Sequence, residues 1–440
     1  MRIAFITLGC PKNLVDSEIM LGALEDAGHS FVAEPAQADV AVVNTCAFIA
    51  AATEESRGVI EQLIELKRSG GLRYVVVAGC LPQRYGGTTL DVFPDVDAVV
   101  GCHSPEDIAD VVEAIRPGHP VYRVTTTAGG GAHVQRRILG TPSHLAYLRI
   151  SEGCDNRCTY CTIPSIRGPL RSRDPEVIVA EARDLAALGV REINIIAQDT
   201  AAYGTDIASS VRLPELLDML SEVGVPWLRV LYAHPAHVTD ELVATIAGND
   251  RVVRYLDLPI QHISDTILRA MGRRVTSARI ESLLRSLRAA VPGITIRSTV
   301  IVGFPGEGER EFEELISFLG LGLIDYVGVF EFSPEEGTPA ERLGPQVSRR
   351  IGTERAERVI EVMRGLARAR GERMAGRTAA VLVDEEGDPA YGRLEGQAWE
   401  LDGRVRIRSD GLPAGEFARV TIDGIDGFDL LATEDDAERV

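Results

Sequence analysis

Short apolar runs of strand length, each followed by a helical pattern, recur along most of this chain, and no other feature narrows its possible folds as far. In the first 118 residues the runs IAFITL, DVAVVNT, YVVVAG and DAVVG alternate with DSEIMLGALEDAG, TEESRGVIEQLIELKRSG and SPEDIADVVEAI. Such alternation predicts a parallel sheet covered by helices on both faces. Periodicity is lost over 119–140, where TTTAGGGA has the composition of a flexible linker. From 141 to 371, LAYLRIS, EINIIAQ, WLRVLYA, YLDLPIQ, ITIRSTVIVG and YVGVFEFS are strand candidates with helical patterns between them. Six strand–helix units in succession predict a partial (β/α) barrel, open on one side, with its active site at the carboxyl-terminal rim. Residues 372–440 change character again, to the short alternating strands TAAVLVD, YGRLEGQAWELDG, RVRIRS and EFARVTIDGIDGFDLLATE. These predict a small antiparallel β-barrel. The expected fold class is thus multidomain α/β with an N-terminal parallel-sheet domain, a partial-barrel core and a terminal β-barrel.

The seven cysteines fall at informative places on this plan. Cys154, Cys158 and Cys161, in EGCDNRCTYCTIP, occupy the first rim position of the expected barrel core. Their spacing offers a metal three thiolates and no fourth. A structural zinc site normally closes with four protein ligands, so a zinc knuckle would need a distant His. Three thiolates suit a cubane of four irons and four sulfides with one iron left open. That open iron can chelate the amino and carboxylate groups of S-adenosylmethionine, whose reductive cleavage yields a deoxyadenosyl radical. Cys10, Cys46 and Cys80, in GCPKN, NTC and AGC, each follow a strand of the first sheet. Ligands of parallel sheets bind outside the carboxyl ends of the strands, so these three thiols should meet at one rim and hold a second cluster. Singly, each is most often a small buried hydrophobe. Cys102, in GCHS, also follows a strand and is left outside the site, with a ligand or redox role open.

Composition limits partners and compartment. Thiolate ligation by six cysteines requires a reducing environment, which makes the cytoplasm the expected location. MRIAFITLGC has one basic residue and too short an apolar run for a secretory signal, and it reads as a first strand. No apolar stretch approaches the roughly 18 to 20 residues of a membrane span, so no membrane association is expected. The formal net charge is −19, which argues against broad attraction to phosphate backbones. From Gly371 to Val440, 17 Asp and Glu stand against 8 Arg, so the terminal module is acidic.

The C-x-x-x-C-x-x-C spacing with Tyr160 before its last cysteine resembles the radical S-adenosylmethionine superfamily. Two cysteine triplets in this order, ahead of a small terminal barrel, resemble its methylthiotransferase family over essentially the whole chain. GCPKNLVDSE, EGCDNRCTYCTIPSIRG, AQDTAAYG, LPIQH, IVGFPGE and FEFSPEEGTPA resemble the branch that modifies an aspartate of the twelfth small-subunit ribosomal protein. The tRNA-modifying branch typically has GCQMN where this chain has GCPKN. The resemblance implies two 4Fe-4S clusters, one on Cys154, Cys158 and Cys161 and an auxiliary one on Cys10, Cys46 and Cys80, with a terminal TRAM domain recognising substrate. It implies S-adenosylmethionine as methyl donor and radical source, with Tyr160 against the adenine and Gln198 and the loop Gly303 to Glu307 contacting the cofactor. A plain tight turn is the bland reading of GFPGE. A low-potential electron donor such as a flavodoxin or ferredoxin is expected, and the protein is expected to be a monomer.

The implied target is an unactivated C–H bond, which no side-chain base deprotonates at neutral pH, so a carbon radical is the accessible route. The acidic terminal module would repel tRNA and steer a basic ribosomal protein, so tRNA is not the expected partner. Methylthiolation of a tRNA adenosine, an iron–sulfur scaffold without a reaction, and a methylase with one working cluster are the competing readings.

Overall fold

The computed structural model of the 440-residue chain describes residues 1–125, 136–409 and 411–435. The chain divides into two compact units, Met1–Gly140 with Tyr147–Glu181 and Ser333–Glu341, and Thr141–Ala146 with Ala182–Phe332 and Arg342–Val440.

The first unit is built on six parallel strands, β1 (Arg2–Thr7), β2 (Ser30–Phe31), β3 (Val40–Thr45), β4 (Tyr74–Gly79), β5 (Ala98–Gly101) and β6 (Val121–Arg123), in the order β2-β1-β3-β4-β5-β6. Every residue of β3 and β4 is buried, as expected of central strands covered on both faces. Alternate side chains go to opposite layers. Val43, Val75, Val77 and Val99 pack with Ile60 and Leu63 of the helix Ala50–Arg68, whereas Val40, Val42, Val76 and Val100 pack with Met20 and Leu24 of the helix Pro11–Asp26. The latter helix starts with Pro11, whose missing N–H costs nothing in the first turn, and stops before Gly28 at φ +79°. Strand β6 lies within the stretch whose composition reads as linker, so the sheet extends beyond residue 119. Most of TTTAGGGA, from residue 126 on, falls outside the described residues. Strand β7 (Leu145–Arg149) leads into a short antiparallel pair, β8 (Ser151–Glu152) with β9 (Arg171–Ser172).

The second unit carries β10 (Glu192–Ile196), β11 (Trp227–Val230), β12 (Val252–Asp257), β13 (Thr295–Val302) and β14 (Tyr326–Glu331) in the order β14-β13-β12-β11-β10, and the start of β7 joins the β10 edge. The four ladders from β10 to β14 are parallel. All six strands expected of the barrel core are therefore present and in sequential order. Strands β15 (Thr378–Glu385), β16 (Ala390–Arg393), β17 (Val405–Arg408), β18 (Phe417–Asp426) and β19 (Asp429–Glu434) close a barrel in the order β15-β16-β17-β19-β18. The run EFARVTIDGIDGFDLLATE folds back at Gly427, φ +63°, to make β18 and β19. Four of the ladders are antiparallel, but β17 and β19 pair parallel, because the return strand must close the ring beside a strand of like direction. Buried ion pairs fasten this barrel to the core sheet. Arg393 bridges Glu192 at 2.6 Å and Asp384 at 2.8 Å, and Tyr255 donates to Asp402 at 2.7 Å.

Candidate active site

In the first unit, strand ends place the thiols of Cys10, Cys46 and Cys80. Cys10 caps the helix Pro11–Asp26, Cys46 follows β3, and Cys80 is the first residue after β4. Glycine lets their backbones crowd together. Gly9 has φ +96°, and a Cβ there would lie 2.7 Å from Cβ of Cys46; at Gly79 a Cβ would lie 2.1 Å from Oδ1 of Asn44. Hydrogen bonds hold the arrangement rigid. Asn13 donates to the Thr45 carbonyl at 2.8 Å, Asn44 donates to the Asn13 carbonyl at 2.8 Å, and the Ser56 hydroxyl donates to the Cys46 carbonyl at 2.8 Å. Burial pushes the Cys46 thiol up to about 12, and the nearby Cys80 and Cys10 add to the rise. The three sulfurs thus share one electrostatic environment. A buried thiol such as that of Cys46, whose charged form is this costly, is suited to a cationic metal core that stabilises thiolate.

Sequence reasoning did not find the residues that supply positive charge to this place. Arg167, almost fully buried, pairs with Asp16 at 2.8 Å and with Glu152 at 3.3 Å, and donates to Oδ1 of Asn13 at 2.9 Å and to Sγ of Cys80 at 3.4 Å. Arg149 pairs with the same Asp16 and with Glu152. Cys102, also buried, donates to the Ile166 carbonyl at 3.8 Å, and its thiol beside Cys80 lowers the latter to about 6, with Arg167 acting in the same direction. Arg167 lies within the quoted run TIPSIRG, but its partner Asp16 is about 150 residues away, and no local pattern links them.

Cys154, Cys158 and Cys161 occupy a loop of the same unit and are half-buried. Its base is closed by the β8–β9 pair and by the Cys154 amide donating to the Gly168 carbonyl at 3.1 Å. At Gly153, φ +73°, a Cβ would lie 2.0 Å from the Pro169 carbonyl oxygen, so only glycine fits. The Cys161 amide donates to the Cys158 carbonyl at 3.2 Å, which turns the chain between these two residues. Tyr160 is half-buried in this loop.

In the second unit, Gln198 follows β10 and is half-buried, and its Oε1 is buried with no protein partner. Gly303, φ +74°, and Gly306, φ +85°, shape the loop after β13. Glu307 is buried, with Arg355 at 2.9 Å and the Phe304 amide donating to it at 3.2 Å. Burial raises its carboxyl to about 7, against the pull of Arg355. Its side chain therefore shapes the loop from inside, and of residues 303–307 only Gly306 is exposed.

A further cluster at this rim was not singled out in the sequence. Asp199, next to Gln198, lies beside His234 and His237, which follow β11. Nδ1 of His237 is 2.6 Å from Oδ2 of Asp199, and the His234 amide donates to Oδ1 at 3.1 Å. Tyr232 at φ +62° and Gln261 at φ +70° are two of the three non-glycine residues with positive φ among the described residues, and both lie just past the carboxyl ends of β11 and β12. Strained backbone of this kind concentrates at functional sites. The spacing of AHPAH was the one visible hint.

Three family profiles match the chain: Uncharacterized protein family UPF0004 over residues 2–101, the Radical SAM superfamily over 148–319 and the TRAM domain over 375–434. The chain is 45% identical over 434 residues to the ribosomal protein uS12 methylthiotransferase RimO of Desulforudis audaxviator, covering 98% of this chain and 96% of the relative. It is 45% identical over 424 residues to the protein of the same name from Moorella thermoacetica, covering 96% of each. Among solved structures, it resembles the radical S-adenosylmethionine methyltransferase TsrM from Kitasatospora setae with a TM-score of 0.56 at 18% identity, over 77% of this chain and 76% of that one. At that identity the likeness shows the fold alone.

Proposed function

The chain belongs to the RimO family of ribosomal protein uS12 methylthiotransferases, and from that membership we propose that it adds a methylthio group to the β-carbon of an aspartate in uS12. The observation that carries the reading is the presence in one compact unit of two cysteine trios, each offering three thiolates. Cys154, Cys158 and Cys161 would hold a 4Fe-4S cluster with S-adenosylmethionine, and Cys10, Cys46 and Cys80 an auxiliary one. When bound, these groups supply a hydrogen-abstracting radical, a methyl group and a sulfur atom.

The chain's own residues do the rest. Gly9, Gly79 and Gly153 let neighbouring segments pack against the thiol-bearing backbone, and Arg167 sets a fixed positive charge against the Cys80 sulfur. Tyr160 would lie against the adenine. The unpaired Oε1 of Gln198 and the Gly303 to Glu307 loop, exposed at Gly306, are suited to cofactor contacts. Carboxylates of the terminal barrel would favour a basic ribosomal protein over tRNA. A low-potential flavodoxin or ferredoxin would feed electrons to a monomeric enzyme in the cytoplasm.

Mass spectrometry of a uS12 peptide incubated with reconstituted enzyme, reductant and S-adenosylmethionine tests the reading. The expected product carries SCH3 in place of one hydrogen on the aspartate; an unmodified peptide beside a modified tRNA stem-loop would overturn it. The triple variant C10A/C46A/C80A is expected to lose about four irons while still forming deoxyadenosine.

A further inference from the structure

Asp199, His234 and His237 have ligand atoms close enough together to suggest a metal site. Their hydrogen bonding argues otherwise. At 2.6 Å, Nδ1 of His237 and Oδ2 of Asp199 share a proton, and that nitrogen is not available to a cation. Nδ1 of His234 accepts the Ala236 amide at 3.2 Å, so the proton of its neutral ring belongs on Nε2. Arg273 acts on both imidazoles and Arg274 on that of His237 as further positive charges, which a divalent ion would have to overcome. The cluster is a carboxylate–imidazole dyad in cationic surroundings.

Its shape indicates an anion. Asp199 is 2% exposed, whereas the His237 side chain is 38% exposed, so the carboxylate is locked inside and the ring reaches outward. Asp199 fixes the ring by its Nδ1 edge, and Nε2 has no partner among the described residues. Asp199 stands three residues past the carboxyl end of β10 and His237 in the loop that leaves the carboxyl end of β11, the side of a parallel sheet where ligands bind. In a chain of net charge −19, a rim position where Arg273 and Arg274 both act electrostatically on His237 is a local exception.

We propose that Nε2–H of His237, oriented by Asp199, binds the side-chain carboxylate of the substrate aspartate and so determines that an aspartate is modified. This rests on the uS12 reading above. The reacting β-carbon is one bond from that carboxylate, which the reaction leaves intact, so a donor holding the carboxylate also fixes the C–H bond. His237 would be the specificity-determining residue and Asp199 a positioning residue.

The test uses full-length reconstituted enzyme and two uS12 loop peptides, one with the target aspartate and one with asparagine in its place, with binding read by fluorescence anisotropy and product by mass spectrometry. Wild type is expected to bind the aspartate peptide about tenfold or more tightly, the effect of one charge-assisted hydrogen bond. H237Q should bring the two affinities together, and H237R, which keeps a cation, should restore a preference. S-adenosylmethionine cleavage without peptide should continue in both variants. A preference unchanged in H237Q overturns the inference. So does loss of S-adenosylmethionine binding in H237Q, which would assign the dyad to the carboxylate of that cofactor, or a zinc or manganese ion retained by wild type and lost by H237Q. If wild type modifies neither peptide, the uS12 reading itself fails, and the two failures are distinct.

Discussion

Arg167 shows how much of this site depends on single buried charges. It faces Asp16, Glu152, Asn13 and Cys80 at once, and all but Glu152 are fixed by the helix Pro11–Asp26 or the end of β4. Replacing it by methionine keeps the volume but leaves two buried carboxylates short of a cation. R167M is therefore expected to lose about 3 to 5 kcal/mol in urea unfolding, and to retain fewer irons at the strand-end thiols; unchanged stability would contradict the network. His237 offers a pH test. Its hydrogen bond to Asp199 raises its pKa above the ordinary value, against burial and the two arginines. A raised folded pKa contributes stability that is complete below the unfolded value, about 6.5, and is lost as pH rises through the folded one. The stability gap between wild type and H237Q should thus be widest in acid and narrow above neutrality, as read from urea midpoints across pH; a gap that widens with pH would reverse the assignment. Neither Arg167 nor His237 was legible as a site residue, because each acquires its role from partners that are distant in sequence.

At the scale of elements, the thiol loops were legible because their ligands are local or stand at strand ends. Continuous valine runs such as VAVVNT and YVVVAG announce strands buried on both faces, and the chemistry begins where each run stops. Glycine is the second readable signal, but only at certain positions. G153A would drive a methyl into the Pro169 carbonyl at 2.0 Å in a backbone with φ +73°, and it should empty the Cys154–Cys161 loop of iron while leaving the auxiliary iron in place. G58A is the matched control. Gly58 lies inside the helix Ala50–Arg68 with open space about it, so alanine should stabilise by about 0.5 to 1 kcal/mol. Iron analysis and thermal unfolding of the two variants together separate a steric requirement from a general intolerance of substitution. The closing ladder of the terminal barrel was less legible. The strands of EFARVTIDGIDGFDLLATE are apparent, but the parallel β17–β19 pairing depends on how the ring closes.

On the scale of the molecule, the terminal barrel is fastened to the core sheet by charges that are almost wholly buried. Glu192 holds Arg229 at 2.7 Å and Arg393 at 2.6 Å, so one carboxylate from β10 answers guanidinium groups from the next strand and from the barrel. Its carboxyl stays below the ordinary range despite burial because both cations face it. E192Q should cost about 3 to 5 kcal/mol by leaving the arginines underpaired, measured by chemical denaturation, and limited proteolysis should then cut between the helix Arg349–Met374 and the barrel. No helix among the described residues is long and apolar enough to cross a membrane. By itself the sequence determined the strand–helix alternation, the two cysteine trios and the acidic terminal module, since periodicity, short spacing and composition are properties of neighbouring residues. Only the tertiary structure decided that Arg167 guards Cys80, that Asp199 orients His237 and that Glu192 ties two domains together. Each of those pairings joins residues far apart along the chain, and a parallel sheet brings such residues together by placing strands side by side, a proximity that no local pattern encodes.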